Sequence, residues 1–198
     1  KQIWESLLNS KLGKTNKLHA SICKVSEISL KAEKDFLEKN HLQGKAASSV
    51  KLGLYYNEEL VSLMTFGKPR YNKNYEYELI RFCSKLNTRV NGGASKLLKY
   101  FERNYKPKSI ISYANRRWSK GNLYEKLGFE FIKYTSPNYF YFKPSDGILY
   151  TRQKFQKHKL KDNLETYYPD LTESENMFNN GYRKIFDSGN ILFIKKYK

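Results

Sequence analysis

The stretch 88-TRVNGGASKLLKYFERNY-105 decides how the chain is read. Ala94, Leu97, Leu98 and Phe101 recur at the spacing of one buried helix face, so a helix starts directly after the glycines. Upstream, 75-YEYELIRFCSKL-86 reads as a long strand, and downstream 109-SIISY-113 reads as a short one. A strand–helix–strand run over 75–113 predicts one parallel crossover. The other strands come as antiparallel hairpins. The class is therefore α/β in the α+β sense: a mixed, mostly antiparallel central sheet with helices on both faces.

Working outward, Ile3, Trp4, Leu7, Leu8 and Leu12 make an apolar helical stripe over 2–12, ended by Gly13. Residues 18–25 read as a strand, and 30–40 as a helix with Ser29 as its cap. Two strand-like runs around Asn57-Glu58 predict a hairpin over 50–67. Ser119–Leu127 predicts a short helix with Leu123 and Leu127 inward and Gly128 closing it. Strands follow at 129–134 and 139–143. The basic run 152–161 has no strong period. Thr172 and Glu175 stand at capping-box spacing before a helix to Asn179, and 182–187 with 190–197 flank Ser188-Gly189 as a terminal hairpin. The domain expectation is a core over 1–150. A C-terminal extension over 151–198, with a basic segment, helix and hairpin, packs on it.

The Gly-Gly segment carries the chemistry. Glycines let a ligand approach the backbone, the first amides of a helix lack intrahelical partners, and the helix dipole favours negative charge. Arg89, Val90, Asn91, Gly92, Gly93, Ala94 and Ser95 are thus candidate pyrophosphate-binding residues; a plain turn is the other reading of Gly-Gly alone.

The chain has 198 residues and a formal net charge of +18, and aromatics make up 16% of it. That aromatic load argues against disorder. Residues 68–120 carry 14 basic and three acidic side chains, net +11, which points to a polyanion partner. Two cysteines, Cys23 and Cys83, supply neither a disulfide framework nor a zinc site and fit a reducing cytoplasm. No apolar run reaches the ~20 residues of a membrane span, and the N-terminus has no signal-peptide core. The chain opens on Lys1 rather than Met, which suits a domain cut from a longer protein.

Arg89-x-x-Gly92-x-Ala94 matches the acyl-CoA signature R/Q-x-x-G-x-G/A of the GNAT acetyltransferases, and 122-NLYEKLGF-129 resembles that fold's second motif. The two stand in the right order and distance, and the likeness covers about residues 18–143. The segments FLEKNHLQG, YELIRFCSKL, VNGGASKLLKYF, SIISYANRRWSKGNLYEKLGF and SPNYFYF further resemble phage proteins: the Mom-like DNA-modification family and the C-terminal domain of homing-endonuclease-like proteins.

The resemblance implies acetyl-CoA or a related acyl-CoA as cofactor and DNA as partner, with Mom-like transfer, and a metal, left open. It implies Tyr124 as the acid that reprotonates the thiolate and Asn122 beside the cofactor. Arg81, Glu78 and His41 are candidates for the acceptor side, with Glu76 an alternative base to Glu78. Glu78 and Arg81, three apart, share a strand face only if the strand bulges. Arg70, Lys73, Arg116, Arg117 and Trp118 are candidate nucleic-acid contacts, cations interleaved with aromatics. Where relatives carry an acid, this chain has Asn115, an amide that cannot act as a base. A catalytically silent DNA-binding module is the second reading.

Overall fold

The structure is a computed structural model and describes residues 1–197. Its helices are α1 (Gln2–Lys11), α2 (Leu30–Asn40), α3 (Gly93–Tyr105), α4 (Asn122–Lys126), α5 (Leu160–Asn163) and α6 (Glu173–Asn179). Its strands are β1 (Asn16–His19), β2 (Lys24–Glu27), β3 (Val50–Tyr56), β4 (Glu59–Gly67), β5 (Tyr77–Ser84), β6 (Thr88–Asn91), β7 (Ser109–Asn115), β8 (Glu130–Tyr134), β9 (Tyr139–Lys143), β10 (Ile148–Thr151), β11 (Arg183–Phe186) and β12 (Asn190–Lys196). The chain packs as two compact units. The first comprises Lys1–Tyr113, Gly121–Ile132 and the chain from Leu192 onward; the second comprises Ala114–Lys120 and Lys133–Ile191. The expected boundary at 150 differs from this division, because β9 and β10 pair within the second unit.

The first unit is built on a seven-stranded sheet ordered β2-β3-β4-β5-β7-β12-β8. Strands β2 to β5 are antiparallel neighbours, and β5 pairs parallel with β7 across the α3 crossover. The β3–β4 turn holds Asn57 and Glu58 at positive φ, the backbone of a two-residue hairpin turn. Alternation along the strands supplies two apolar faces. On one, Phe66 stacks on Phe101 of α3 with ring centroids 3.7 Å apart, and Leu97 and Leu98 are buried. On the other, Phe36 and Leu37 of α2 bury Leu63. Ser29 caps α2 by accepting from the Ala32 amide at 3.1 Å. The second unit holds the antiparallel sheet β10-β9-β11 around Tyr141, Phe155, Leu160, Met177 and Tyr182.

Four local expectations are corrected. Residues 18–25 are two strands, not one. A turn at Ala20–Ile22 splits them, and β1 pairs parallel with β6 while β2 joins the large sheet. The stripe on α1 is formed but not buried: Trp4, Leu8 and Leu12 are 45%, 60% and 68% exposed. Polar bonds tie α1 down instead, as Ser6 Oγ accepts from the Asn87 amide at 2.8 Å. Leu123 is exposed while Leu127 is buried, and α4 spans only Asn122–Lys126, with Leu127 as its C-cap. Finally, β11 and β12 do not form a hairpin. β11 pairs with β9, and β12 lies between β7 and β8. The link between them is pinned elsewhere, with Asp187 Oδ1 accepting from the amides of Asn138 and Gly189 at 2.8 Å each.

Candidate active site

β5 and β7 stay in register only over Tyr77–Ile110, Glu78–Ile111 and Leu79–Ser112, although both strands run further. At the same level Thr65 faces Arg81 and Phe66 faces Leu79, so Ile80 is the extra residue of a β-bulge. The bulge shifts the side-chain alternation by one, which brings Glu78 and Arg81 to one face. The two parallel strands therefore part just where the expected chemistry lies.

Ser112 marks the point of separation. Its buried Oγ lies 2.9 Å from the Leu79 carbonyl oxygen and 3.2 Å from the Tyr124 hydroxyl. A serine has one proton, so it serves one of these neighbours at a time. The Tyr124 ring stacks on Phe193 of β12 at 4.8 Å and meets Phe129 edge-on at 5.7 Å. Burial pushes the Tyr124 phenol up; Ser112 and the Arg81 charge oppose this, and Glu78 adds to it. The phenol thus keeps its proton at neutral pH. The α4 backbone is closed by Gly128 at φ +78, with the Phe129 amide donating to the Tyr124 carbonyl at 2.9 Å.

Glu78 is fully buried and bound at both oxygens by Arg70. The Arg70 amide donates to Oε2 at 2.8 Å, and Nε and Nη2 donate to Oε1 at 3.0 and 2.5 Å. Burial opposes the Arg70 charge, but the bonds and charge of Glu78 outweigh it and raise its pKa. Arg81 donates from Nε to the Gly44 carbonyl and from Nη1 to the Ile80 carbonyl, each at 3.0 Å. The second bond satisfies the bulge residue itself. Burial, then the charge of Arg70, lowers the Arg81 pKa. His41 sits at the C-terminal end of α2, where Nδ1 accepts from the Gln43 amide at 3.1 Å. Burial, then the Arg81 charge, lowers its pKa to about 4, so it is neutral at pH 7 with its proton on Nε2.

The Arg81 charge thus acts on both His41 and Tyr124, and the Glu78 carboxylate acts on Arg81 and Tyr124, which links the four electrostatically through Arg81. Arg70, expected among the nucleic-acid contacts, belongs to that cluster as the partner of Glu78. Nothing in the sequence marks the pair, since Arg70 is on a loop. Ser112 was also missed; a polar residue inside the apolar run SIISY was its only signal. Glu76 serves structure, accepting from the Lys108 amide at 2.6 Å.

Helix α3 begins at Gly92, whose φ of +75 is the left-handed region that glycine reaches freely. No side chain caps it and no acidic residue occupies its first turn. The amides of Gly93, Ala94 and Ser95 are therefore the donor set an anionic pyrophosphate needs. Gly93 is tight for another reason: a Cβ there would come 3.1 Å from Val90 and 3.2 Å from Leu54. Val90 and Ala94 are buried, Asn91 and Ser95 half-buried, and Arg89 exposed on β6. Lys96 turns away, donating from Nζ to the carbonyls of Ala20 and Cys23 at 2.7 and 2.5 Å.

The remaining expected residues are placed as follows. Asn122 is the exposed first residue of α4, whose cap is Gly121; neither it nor Ser119 caps the helix. Lys73 donates to the Pro69 carbonyl at 2.5 Å. In the second unit Arg116 stacks over Tyr134 at 4.5 Å and donates to the Ser188 carbonyl at 3.0 Å. Asn115 Oδ1 accepts from the Arg117 amide at 2.9 Å, a turn-forming role, and Trp118 is 39% exposed. Among the described residues no three His, Cys, Asp or Glu side chains form a metal-ligating group. Nor is any helix long and apolar enough to cross a membrane.

No protein-family model matches the chain, and no curated protein does. Solved structures do. The "histone acetyltransferase HPA2 and related acetyltransferase" of Corynebacterium glutamicum aligns at a TM-score of 0.53 and 10% identity, over 89% of this chain and 97% of that one. The ribosomal-protein-S18-alanine N-acetyltransferase of Escherichia coli aligns at 0.49 and 10% identity, over 88% and 93%. A Bacillus subtilis acetyltransferase in complex with CoA aligns at 0.47 and 15% identity, over 89% and 99%. Only the first of these exceeds a TM-score of 0.5, and at 10% identity it speaks for the fold alone: with the large, mostly antiparallel sheet flanked by helices, the fold is of the GNAT type.

Proposed function

We propose that the chain is an acyl-CoA-dependent N-acyltransferase whose acceptor is an amine on a DNA base, as in the phage Mom-like proteins it resembles. The observation that carries this reading is the meeting, in one unit, of the parted β5 and β7, the uncapped α3 N-terminus and the Tyr124 hydroxyl. When bound, acyl-CoA supplies an acyl group activated as a thioester. The amides of Gly93 to Ser95 hold its pyrophosphate, and the exposed Arg89 adds charge there. Tyr124 keeps a proton for the departing thiolate, with Ser112 behind it as a second hydroxyl. The basic excess over 68–120 supports a polyanionic acceptor.

Glu78 and His41 favour a second reading, a GNAT-like domain that binds DNA without catalysis. The oxygens of Glu78 are engaged by Arg70, and the free-electron nitrogen of His41 is engaged by Gln43, so neither is placed to take a proton. Nucleoside mass spectrometry on DNA co-expressed with the protein separates the two. A modified base that disappears with Tyr124→Phe is expected. Unmodified DNA together with no heat of acetyl-CoA binding would sink the transferase reading.

A further inference from the structure

The charge balance around Glu78 leaves one cation in excess. Arg70 and Arg81 both act on the single carboxylate of Glu78, and the close contacts all come from Arg70. Arg81 makes no ion pair among the described residues. It is held only by the neutral carbonyls of Gly44 and Ile80, through Nε and Nη1. A guanidinium is planar, so fixing two nitrogens fixes the direction of the third. Nη2 is thereby aimed and has no acceptor among the described residues. Retaining a half-buried, unneutralised guanidinium is costly unless an anion meets it.

A second feature narrows the anion. Tyr71, next to Arg70 in sequence, leaves its ring 75% exposed and meets Tyr113 edge-on at 5.6 Å. The Arg70 guanidinium lies 5.7 Å from the Tyr71 ring. An exposed, braced phenol ring beside cations suits a stacked planar base, whereas a simple carboxylate would have no use for it. His41, neutral and presenting N–H from Nε2, adds a donor near Arg81 without adding an acid.

We infer that this face of the first unit seats a nucleotide, its phosphate oxyanion on Arg81 Nη2 and its base against Tyr71. The inference deepens the acyl-transfer reading by naming what the acceptor side recognises, and rests on that reading only for the chemistry that follows binding. It also gives Glu78 a task other than proton transfer: it holds Arg70, and so the loop bearing Tyr71, in place.

Calorimetry on the full chain tests it with deoxyadenosine 5′-monophosphate and deoxyadenosine as probes. The monophosphate should bind about tenfold more tightly than the nucleoside, the worth of a charge-assisted bond. Arg81→Gln should erase that ratio, Arg81→Lys should keep part of it, and Tyr71→Ala should weaken both ligands while leaving it intact. The ratio should shrink with added salt. Equal affinities, a ratio untouched by Arg81→Gln, or no binding of either probe at millimolar concentration would overturn the inference. A cooperative melting transition at the parent's temperature shows that the variants are folded, and acetyl-CoA affinity is measured in parallel. Nucleotide binding as stated, without acetyl-CoA binding, would remove the transferase reading and leave the nucleotide seat standing.

Discussion

Tyr124 and Ser112 show how one hydroxyl depends on another. In the proposed reaction Tyr124→Phe removes the proton donor while keeping both ring contacts, so transfer should drop by about 10²-fold with stability little changed. Ser112→Ala should move the alkaline limb of the pH–rate profile, since Ser112 contacts the phenol directly. Arg70→Met strands the buried Glu78 carboxylate and should cost about 3 kcal/mol in urea unfolding. His41 gives a pH signature. Its folded pKa is about 4 against 6.5 unfolded, so between those values only the unfolded chain binds the proton. Stability should therefore fall as pH drops from 6.5 to 4, by at most about 3 kcal/mol, and His41→Asn should flatten that slope. Tyr124, Arg81, Glu78 and His41 are candidates that the sequence offers one by one. What stayed hidden were their partners, because Arg70 and Ser112 reach Glu78 and Tyr124 only through the fold.

Elements whose signal is local were legible, and those decided by distant pairing were not. Ser29, the Asn57-Glu58 turn and the Thr172–Glu175 capping box each act within a few residues, and each is present as read. The 182–197 region has the pattern of a hairpin, yet its strands find other partners, a choice that local chemistry does not encode. Two predictions belong here. Thr172→Ala should lose about 1 kcal/mol through the α6 cap, seen as a lower melting point in the variant. Gly92→Ala forces a side chain into positive φ, and should cost about 1–2 kcal/mol and weaken acetyl-CoA binding in the same titration. The nearest atom to its new Cβ would be 3.7 Å away, so the penalty is backbone strain and not a clash.

Across the whole molecule the +18 charge reads differently once partners are known. Within 68–120, Arg70 is paired with Glu78, Lys85 with Glu59, and Lys73 and Lys96 each hold backbone carbonyls. Part of the local excess is thus structural. On the proposed DNA-acceptor reading, the remaining excess, not the total, should set the salt dependence of binding. A plot of log affinity against log salt should have a slope well below the count of basic residues in that segment.

The strand order also imposes a schedule. β12 lies between β7 and β8, yet it is synthesised after both and after nearly all of the second unit. Until it emerges, β7 and β8 have no strand between them, and Phe193 is not there to support Tyr124. Strands β9 to β11 pair only with one another, so their sheet can close without β12. Released chains truncated just before Asn190 should accordingly protect β9 to β11 from protease and leave β8 open to cutting. The packing of the Tyr124 ring is then completed only when β12 arrives.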